Sequence, residues 1–352
     1  MPLTIVLRVF WRTGNVRDHN SRGAAQGGMR LVAAETPRDG TRVAVRVPAK
    51  VNLFLAVRGV RADGYHELAT VFQTISVFDD LCVALVAPPG RGHHPASRPH
   101  MRLELSHDEV QGVPAGDANL AVQAGRLLGE SAHMIEPGID SERVGPRTII
   151  DLDKGIPVAG GMGGGSADAA ATLVALNELW GTELSRDELR ELGSRIGSDV
   201  PFLVVGGTAF ATGRGTALAQ VLCRGEFHWV VCPDSASLAT ADVFKAWDKT
   251  CEPSEVEPDA VLQALRSEDA EALGAALHND LEPAAFALRP RLAERKERLL
   301  TAGALGVMVS GSGPTMLALA SDHAHAVALA AEVREGGFVA RSPAGGPEIV
   351  RR

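Results

Sequence analysis

The segment Pro157-Val-Ala-Gly-Gly-Met-Gly-Gly-Gly-Ser-Ala-Asp-Ala-Ala170 constrains this chain more than any other, because five of the six residues from Gly160 to Gly165 are glycine and alanines follow directly. So many freely rotating residues raise the entropic cost of ordering the chain, which is unexpected in a plain connector. Lacking side chains, they let backbone N–H groups close on a ligand. The spacing predicts a helix from about Gly164 to Trp180, whose N-terminus would add about half a positive elementary charge and several unpaired donors. A polyphosphate is the natural occupant of such a place. Two familiar nucleotide loops are excluded. A P-loop needs a lysine after its last glycine, where this chain has Ser166. A dinucleotide-binding turn needs an acidic ribose reader about 20 residues further on, after a second strand, and none stands there. A flexible turn before a helix, the ordinary alternative, leaves the glycine density without a cause.

Any anion site must be built locally, because a formal net charge of −8 over 352 residues works against general attraction to nucleic acid or to an anionic membrane. Hydrophobic residues at 45% and charged residues at 22% match an ordinary globular protein. No apolar run reaches the roughly 18 residues that a bilayer span needs. The length predicts two domains sharing a cleft. Cys82, Cys223, Cys232 and Cys251 lack the paired spacing of a zinc site or redox dithiol, so a reduced, cytoplasmic setting is expected. Only five of the 35 basic residues are lysine, which makes each a candidate for a place that wants a compact ammonium. Tyr65 is the only tyrosine.

Residues 1–40 mix Arg, Gly, Asn and Asp with little periodicity. They are expected to be disordered, or to be an extension arising from a start assigned too far upstream, with Met29 as the alternative. Their short apolar start, broken at Arg8, does not make a signal peptide. Val43, Val45 and Val47 alternate as a half-buried strand, and after a break at Pro48 a second runs over Asn52–Val57. Leu68–Val77 and Leu81–Val86 read as two more strands, Pro88–His100 as a loop, and Asn119–Leu128 as a helix with Asp117 as its cap. A strand at Arg147–Asp151 leads into the glycine segment. Ser185–Ile196 is a helix with capping-box spacing between Ser185 and Glu188. Further strands fall at Thr208–Thr212, Trp229–Cys232, Val307–Ser310 and Thr315–Leu319. The pattern is α+β, with domains at 41–203 and 204–345 and Gly206 and Gly207 as joints.

Three other constellations carry polar residues in strand or loop contexts. The first is Pro48-Ala-Lys50-Val-Asn52-Leu-Phe-Leu with Asp63-Gly64-Tyr65-His66-Glu67-Leu68 close behind. Gly197-Ser198-Asp199-Val200-Pro201 follows a helix, and Ser310-Gly-Ser-Gly-Pro-Thr315 joins two apolar strands. Each alone has a plain reading: a solvated lysine, a turn cap, a hairpin loop. In this order, and with the Pro157–Ala170 segment, they resemble the GHMP kinases, named for galactokinase, homoserine kinase, mevalonate kinase and phosphomevalonate kinase. The resemblance runs from about Arg46 to Ala318.

That resemblance implies a two-domain α+β kinase fold with the active site in the cleft between domains. It implies ATP as co-substrate, with Pro157, Val158, Ala159, Gly160, Gly161, Met162, Gly163, Gly164, Gly165 and Ser166 around its phosphates. Ser166 would lie near the phosphates or Mg²⁺, and Asn119 near the adenine. Lys50 and Asp199 would meet at the acceptor hydroxyl, Asp199 taking the proton late and Lys50 stabilising its negative charge. Motifs PAKVNLFL, DGYHEL and GSDVP resemble the branch whose acceptor is a cytidine-diphosphate-linked polyol of non-mevalonate isoprenoid biosynthesis. There Asn52, Tyr65, His66 and Phe244 would hold the acceptor, Tyr65 by stacking on the pyrimidine, His66 by edge hydrogen bonds and Phe244 from the opposite face. The implied protein is a monomer or homodimer acting on a small molecule, without a nucleic-acid or membrane partner and without a metal cage of its own. Met162 stands where leucine is common, a near volume-conserving change. Ala167 replaces a frequent second serine, leaving the hydroxyl's role to Ser166. Another GHMP activity of homoserine or mevalonate type, and a non-catalytic nucleotide-binding protein, remain as alternatives.

Overall fold

The computed structural model describes residues 42–86, 102–105, 112–132, 147–234, 236–332 and 336–351. The N-terminal segment 1–40 and the loop at 88–100 lie outside the described residues. Val43, Val45 and Val47 do begin a strand, but it does not end at Pro48. β1 runs unbroken over Arg42–Val60 and pairs antiparallel with β2, His66–Val86, across the Asp63-Gly64 turn. A proline cannot donate to a ladder, and the pairing accommodates it by shifting register between Pro48 and Ala49. A second shift falls between Asn52 and Phe54, so Lys50 and Asn52 sit between two irregularities of one ribbon. The expected pair at Leu68–Val77 and Leu81–Val86 is likewise one strand, β2.

This ribbon is the spine of an eight-stranded sheet. Beyond it, β3 (Arg102–Leu105) lies parallel to β4 (Arg147–Asp153), and β4 pairs with the second half of β2. The first half of β2 takes β5 (Thr208–Gly213), which carries β6 (Ala217–Gln220). A smaller antiparallel sheet has the order β11-β7-β10-β9, with β7 at Phe227–Cys232, β9 at Gly306–Val309, β10 at Met316–Ala320 and β11 at Phe338–Ser342. On the other edge of β1 lie the two-residue β8 (His278–Asn279), parallel, and β12 (Glu348–Arg351), antiparallel. The large sheet thus takes strands from both sides of residue 203. Gly206 and Gly207, the expected joints, both have positive φ, and a Cβ on Gly206 would stand 2.4 Å from the Gly346 backbone.

Helices α1 (Leu120–Ser131), α2 (Gly164–Trp180), α3 (Arg186–Ser194) and α4 (Val200–Val205) accompany the large sheet. Later in the chain come α5 (Thr240–Thr250), α6 (Asp259–Ser267), α7 (Ala270–Ala276), α8 (Glu282–Leu288), α9 (Arg291–Thr301) and α10 (His323–Glu332). The run of small residues in α2 lets it sink between α1 and the β1–β2 ribbon, where 11 of its residues are buried. Ser185 and Glu188 form the expected capping box on α3. The cap of α1 differs from expectation: Asn119 Oδ1 accepts from the Ala121 N–H at 2.8 Å, while Asp117 pairs with Arg126 on the helix surface. An amide one residue before the helix reaches its second N–H, which Asp117 is too far upstream to do.

Two devices hold the glycine segment. Its neighbour is the Ser310–Thr315 loop: Thr315 N–H donates to Gly160 O at 3.3 Å, Ser310 Oγ to Gly161 O at 3.2 Å, and from the other side Lys50 N–H to Met162 O at 3.0 Å. Beneath it, fully buried Asp79 accepts from the backbone N–H of Gly155 (2.8 Å) and Ile156 (2.9 Å), and from Lys154. Lys154 Nζ also donates to Asp168 Oδ2 in α2 at 2.7 Å. One ammonium therefore serves two buried carboxylates. Burial, with Asp79's negative charge adding to it and Lys154 opposing, pushes Asp168 up to about 7.

Two consequences can be measured. At Gly161, with φ +78, a Cβ would stand 2.2 Å from Ser310 O, so Gly161→Ala should cost about 1–3 kcal/mol of stability in a denaturant titration. Unchanged stability would mean that the two loops do not approach in solution. The folded pKa of Asp168 lies above the ordinary carboxylate value of 3.8, so folding favours its protonated form. That contribution is full below about pH 4 and is lost as pH rises towards about 7. Asp168→Asn, which cannot ionise, should gain stability relative to wild type as pH is raised from about 4.5 to 7.5. A flat difference over that range would show that Asp168 stays ionised.

Candidate active site

The β1 segment between the two register shifts, the glycine loop, the start of α4 and the Ser310–Thr315 loop converge on a cavity of about 320 Å³. Lys50, 6% exposed, is nearly enclosed there. Its Nζ lies 2.9 Å from Asn52 Oδ1 and 3.4 Å from Asp199 Oδ2, with the Phe72 ring centroid at 5.4 Å. The Asn52 orientation is fixed in turn, because its Nδ2 donates to Thr70 Oγ1 at 2.8 Å and that hydroxyl donates to Phe54 O at 2.6 Å. A buried ammonium is tolerated only with partners of this kind. Asp199 stands at the N-cap position of α4 but makes no capping hydrogen bond. Its plain reading as a turn cap is therefore not realised, and its carboxylate lines the cavity beside Lys50.

Much of the remaining lining is main chain. Ala159, Gly160, Gly161, Gly163, Gly164, Gly165 and Ser166 supply it. Three of these seven have left-handed backbone: Ala159 at φ 54, Gly161 at 78 and Gly163 at 72, the last being the N-cap of α2. A Cβ on Gly163 would meet the Lys50 side chain at 2.9 Å, so the absence of a side chain is what lets the lysine pass. No acidic residue occupies the first turn of α2, which leaves its positive end uncompensated. Pro157, Val158 and Met162 shape the loop from outside the lining: Pro157 O accepts from Gly160 N–H, Val158 is exposed and Met162 is buried. Asn119 is buried with both side-chain groups engaged, Oδ1 in the α1 cap and Nδ2 on Pro114 O at 2.9 Å. Its neighbour Leu120 is the one that lines the cavity.

The acceptor-side residues divide. Phe244 in α5 lines the cavity and stacks on His66 with centroids 4.4 Å apart, and His66 Nε2 reaches Asp248 Oδ1 at 2.7 Å. The two rings expected to hold the acceptor are in contact with each other in the fold. Tyr65 is 54% exposed at the ribbon turn and is not among the lining residues. The Arg214 guanidinium lies 4.0 Å from its ring centroid. Arg214 and Thr240 also line the cavity and were not singled out from the sequence, and Ser312 of the Ser310–Thr315 constellation joins them. Thr240 Oγ1 and Ser312 Oγ share a hydrogen bond at 2.9 Å. For Arg214 the available signal was Gly213-Arg-Gly215, a charged residue set in a tight turn.

This arrangement can do one kind of chemistry well. Backbone N–H groups at a helix N-terminus can hold anionic oxygens, and an ammonium–carboxylate pair lines the same small space. Phosphoryl transfer asks for that combination of alignment and charge neutralisation.

Comparison with known proteins agrees. The chain matches the family descriptions "GHMP kinases N terminal domain" over residues 119–207 and "GHMP kinases C terminal" over residues 261–338. It is 46% identical to the 4-diphosphocytidyl-2-C-methyl-D-erythritol kinase of Saccharopolyspora erythraea, covering 88% of this chain and 94% of that protein. It is 42% identical to the kinase of the same name from Mycobacterium tuberculosis, covering 88% and 93%. A crystal structure of 4-(cytidine 5'-diphospho)-2C-methyl-D-erythritol kinase superposes with a TM-score of 0.67 at 33% identity, covering 86% of this chain and 100% of that one. A homoserine kinase from Cytophaga hutchinsonii shares the fold, with a TM-score of 0.65 at 17% identity over 91% of this chain and 100% of that one. With the glycine wall, the lysine and aspartate, and likeness along most of its length, the chain belongs to the GHMP kinase family, beside the 4-diphosphocytidyl-2-C-methyl-D-erythritol kinases.

Proposed function

We propose that this chain transfers the γ-phosphoryl group of ATP to a hydroxyl of 4-diphosphocytidyl-2-C-methyl-D-erythritol, giving the 2-phosphate, in the non-mevalonate route to isoprenoid precursors. The observation that carries the reading is the Lys50–Asp199 pair lining one cavity together with the uncompensated N-terminus of α2, in a chain 46% identical to a kinase of that name. ATP lays its phosphates along Gly160–Gly165, whose missing side chains leave room for them. The acceptor hydroxyl lies at Asp199 Oδ2. As its oxygen bonds to the γ-phosphorus and the bond from that phosphorus to the β,γ-bridging oxygen breaks, the hydroxyl proton passes to Asp199 and ADP leaves with the bridging oxygen. Lys50 steadies the carboxylate and the transferring oxygens, and Asn52 holds Lys50 in place.

Mg²⁺ accompanies the nucleotide. Such an ion would be bound chiefly by phosphate oxygens and water. Ser166 Oγ, which lines the cavity, would be its ligand from the protein, and the ion would neutralise phosphate charge. His66 and Phe244 take the pyrimidine end of the acceptor, and residues 41–203 and 204–345 supply the nucleotide and the closing halves of the site. The protein acts in the cytoplasm as a monomer or homodimer; among the described residues no helix is long and apolar enough to cross a membrane.

Coupled ADP release should appear with the diphosphocytidyl acceptor and stay at background with mevalonate, homoserine and galactose. Turnover of one of those three instead would replace the acceptor while keeping the family. Asp199→Asn keeps size and removes the proton acceptor, and Lys50→Met removes its charge partner. Each should lower kcat by about 10²–10⁴-fold with the ATP Kd within about twofold. Near wild-type kcat in Asp199→Asn would remove the aspartate from the chemistry.

A further inference from the structure

Two cationic side chains line the cavity, Lys50 and Arg214. Lys50 is committed to Asn52 and Asp199. Arg214 has no carboxylate within ion-pair distance among the described residues, and its Nε–H is buried without a hydrogen-bond partner. A buried guanidinium donor left unpaired is costly unless something binds there.

Its position is built with care. Arg214 stands between Gly213 (φ 70) and Gly215 (φ 88), two left-handed residues that force a tight turn between β5 and β6. The turn is pinned at both ends, by Gly215 N–H on Thr212 O at 3.1 Å and by Gly213 N–H on Glu67 Oε1 at 3.0 Å. Glu67 follows His66 in β2, so the turn is held beside the His66–Phe244 stack. The guanidinium carbon lies over the Tyr65 ring, 4.0 Å from its centroid. A stacked guanidinium keeps its in-plane N–H donors free, in the fork that matches phosphate oxygens. Asp63 supplies background only: it is held below the usual carboxylate range first by the Tyr65 N–H, with Arg61 and then Arg214 adding their charges.

We infer that Arg214 is a specificity-determining residue of the acceptor site, its guanidinium binding the diphosphate of a cytidine-diphosphate-linked substrate while the Tyr65 ring backs it. The inference rests on the acceptor reading above. It also gives Tyr65 a role that its exposure does not contradict: the ring positions the arginine from outside the cavity.

The test uses the full chain saturated with a non-hydrolysable ATP analogue, titrated calorimetrically with cytidine, CMP and CDP. Wild type, Arg214→Gln and Arg214→Lys are compared, with melting temperatures taken alongside. In wild type the affinity should rise by about tenfold or more from cytidine to CDP, as expected for charge-assisted hydrogen bonds to a diphosphate. In Arg214→Gln that gain should collapse to about twofold, with Kd for cytidine and for ATP within about twofold of wild type, and Arg214→Lys should keep part of it. The acceptor KM of Arg214→Gln should rise by about tenfold with its ATP KM unchanged. An undiminished CDP gain in Arg214→Gln, a parallel loss of ATP and CDP affinity, or equal wild-type affinity for cytidine and CDP would overturn the role of Arg214 alone. A wild type that binds no cytidine ligand would overturn the acceptor reading and this inference with it.

Discussion

The hydrogen bond from the Lys50 backbone N–H to Met162 O joins the ribbon that organises the larger sheet to the loop that begins its central helix. The residue that makes it also aims its ammonium at Asp199. Strand, loop and α4 are thus fixed relative to one another through a single lysine. That lysine can pass close only because Gly163 has no side chain, and the loop can lie flat only because Gly161 leaves Ser310 O undisturbed. Much of the glycine density, which looks like flexibility in the sequence, is a requirement of close backbone approach in the fold.

A second dependence lies underneath. Asp79 replaces the missing ladder partners of Gly155 and Ile156, and Lys154 links it to Asp168. Such a buried cluster does not by itself add much stability, since desolvation offsets the attraction. What it provides is position: the strand leaving β4 and the first turns of α2 are tied to the same atoms, so the glycine loop between them has both ends anchored. From β8 at the edge of the larger sheet, Asn279 does similar work, its Nδ2 donating to Val309 O at 2.9 Å and Gly311 O at 2.8 Å.

The elements legible in the sequence were those set by local rules. The span of α2 followed from its glycine start and its alanines, and the capping box on α3 from four residues. Pro48 misled because a period of two cannot distinguish the end of a strand from a bulge within it, and only the pairing partner decides. Lys50 and Asp199 were legible as candidates through their motifs, but their meeting at 3.4 Å depends on long-range packing. The contact between His66 and Phe244 was not legible, because nothing local records that α5 packs on the start of β2. Arg214 stayed hidden in a chain rich in arginine. Its significance comes from a buried Nε–H without a hydrogen-bond partner among the described residues, and a sequence does not display missing partners.

The two walls of the cavity differ in how they respond to mutation. Donors supplied by main chain at the glycine loop cannot be deleted by a base change that leaves the backbone in place; only the addition of a side chain can block them, and at Gly160, Gly161 and Gly163 a larger residue would strain the fold itself. The acceptor wall is made of side chains, each replaceable singly. Drift in what the enzyme accepts, and escape from an inhibitor, should therefore accumulate on the Arg214, Thr240 and Phe244 side. A compound anchored on the backbone amides of Gly160–Gly165 would leave the protein fewer ways out.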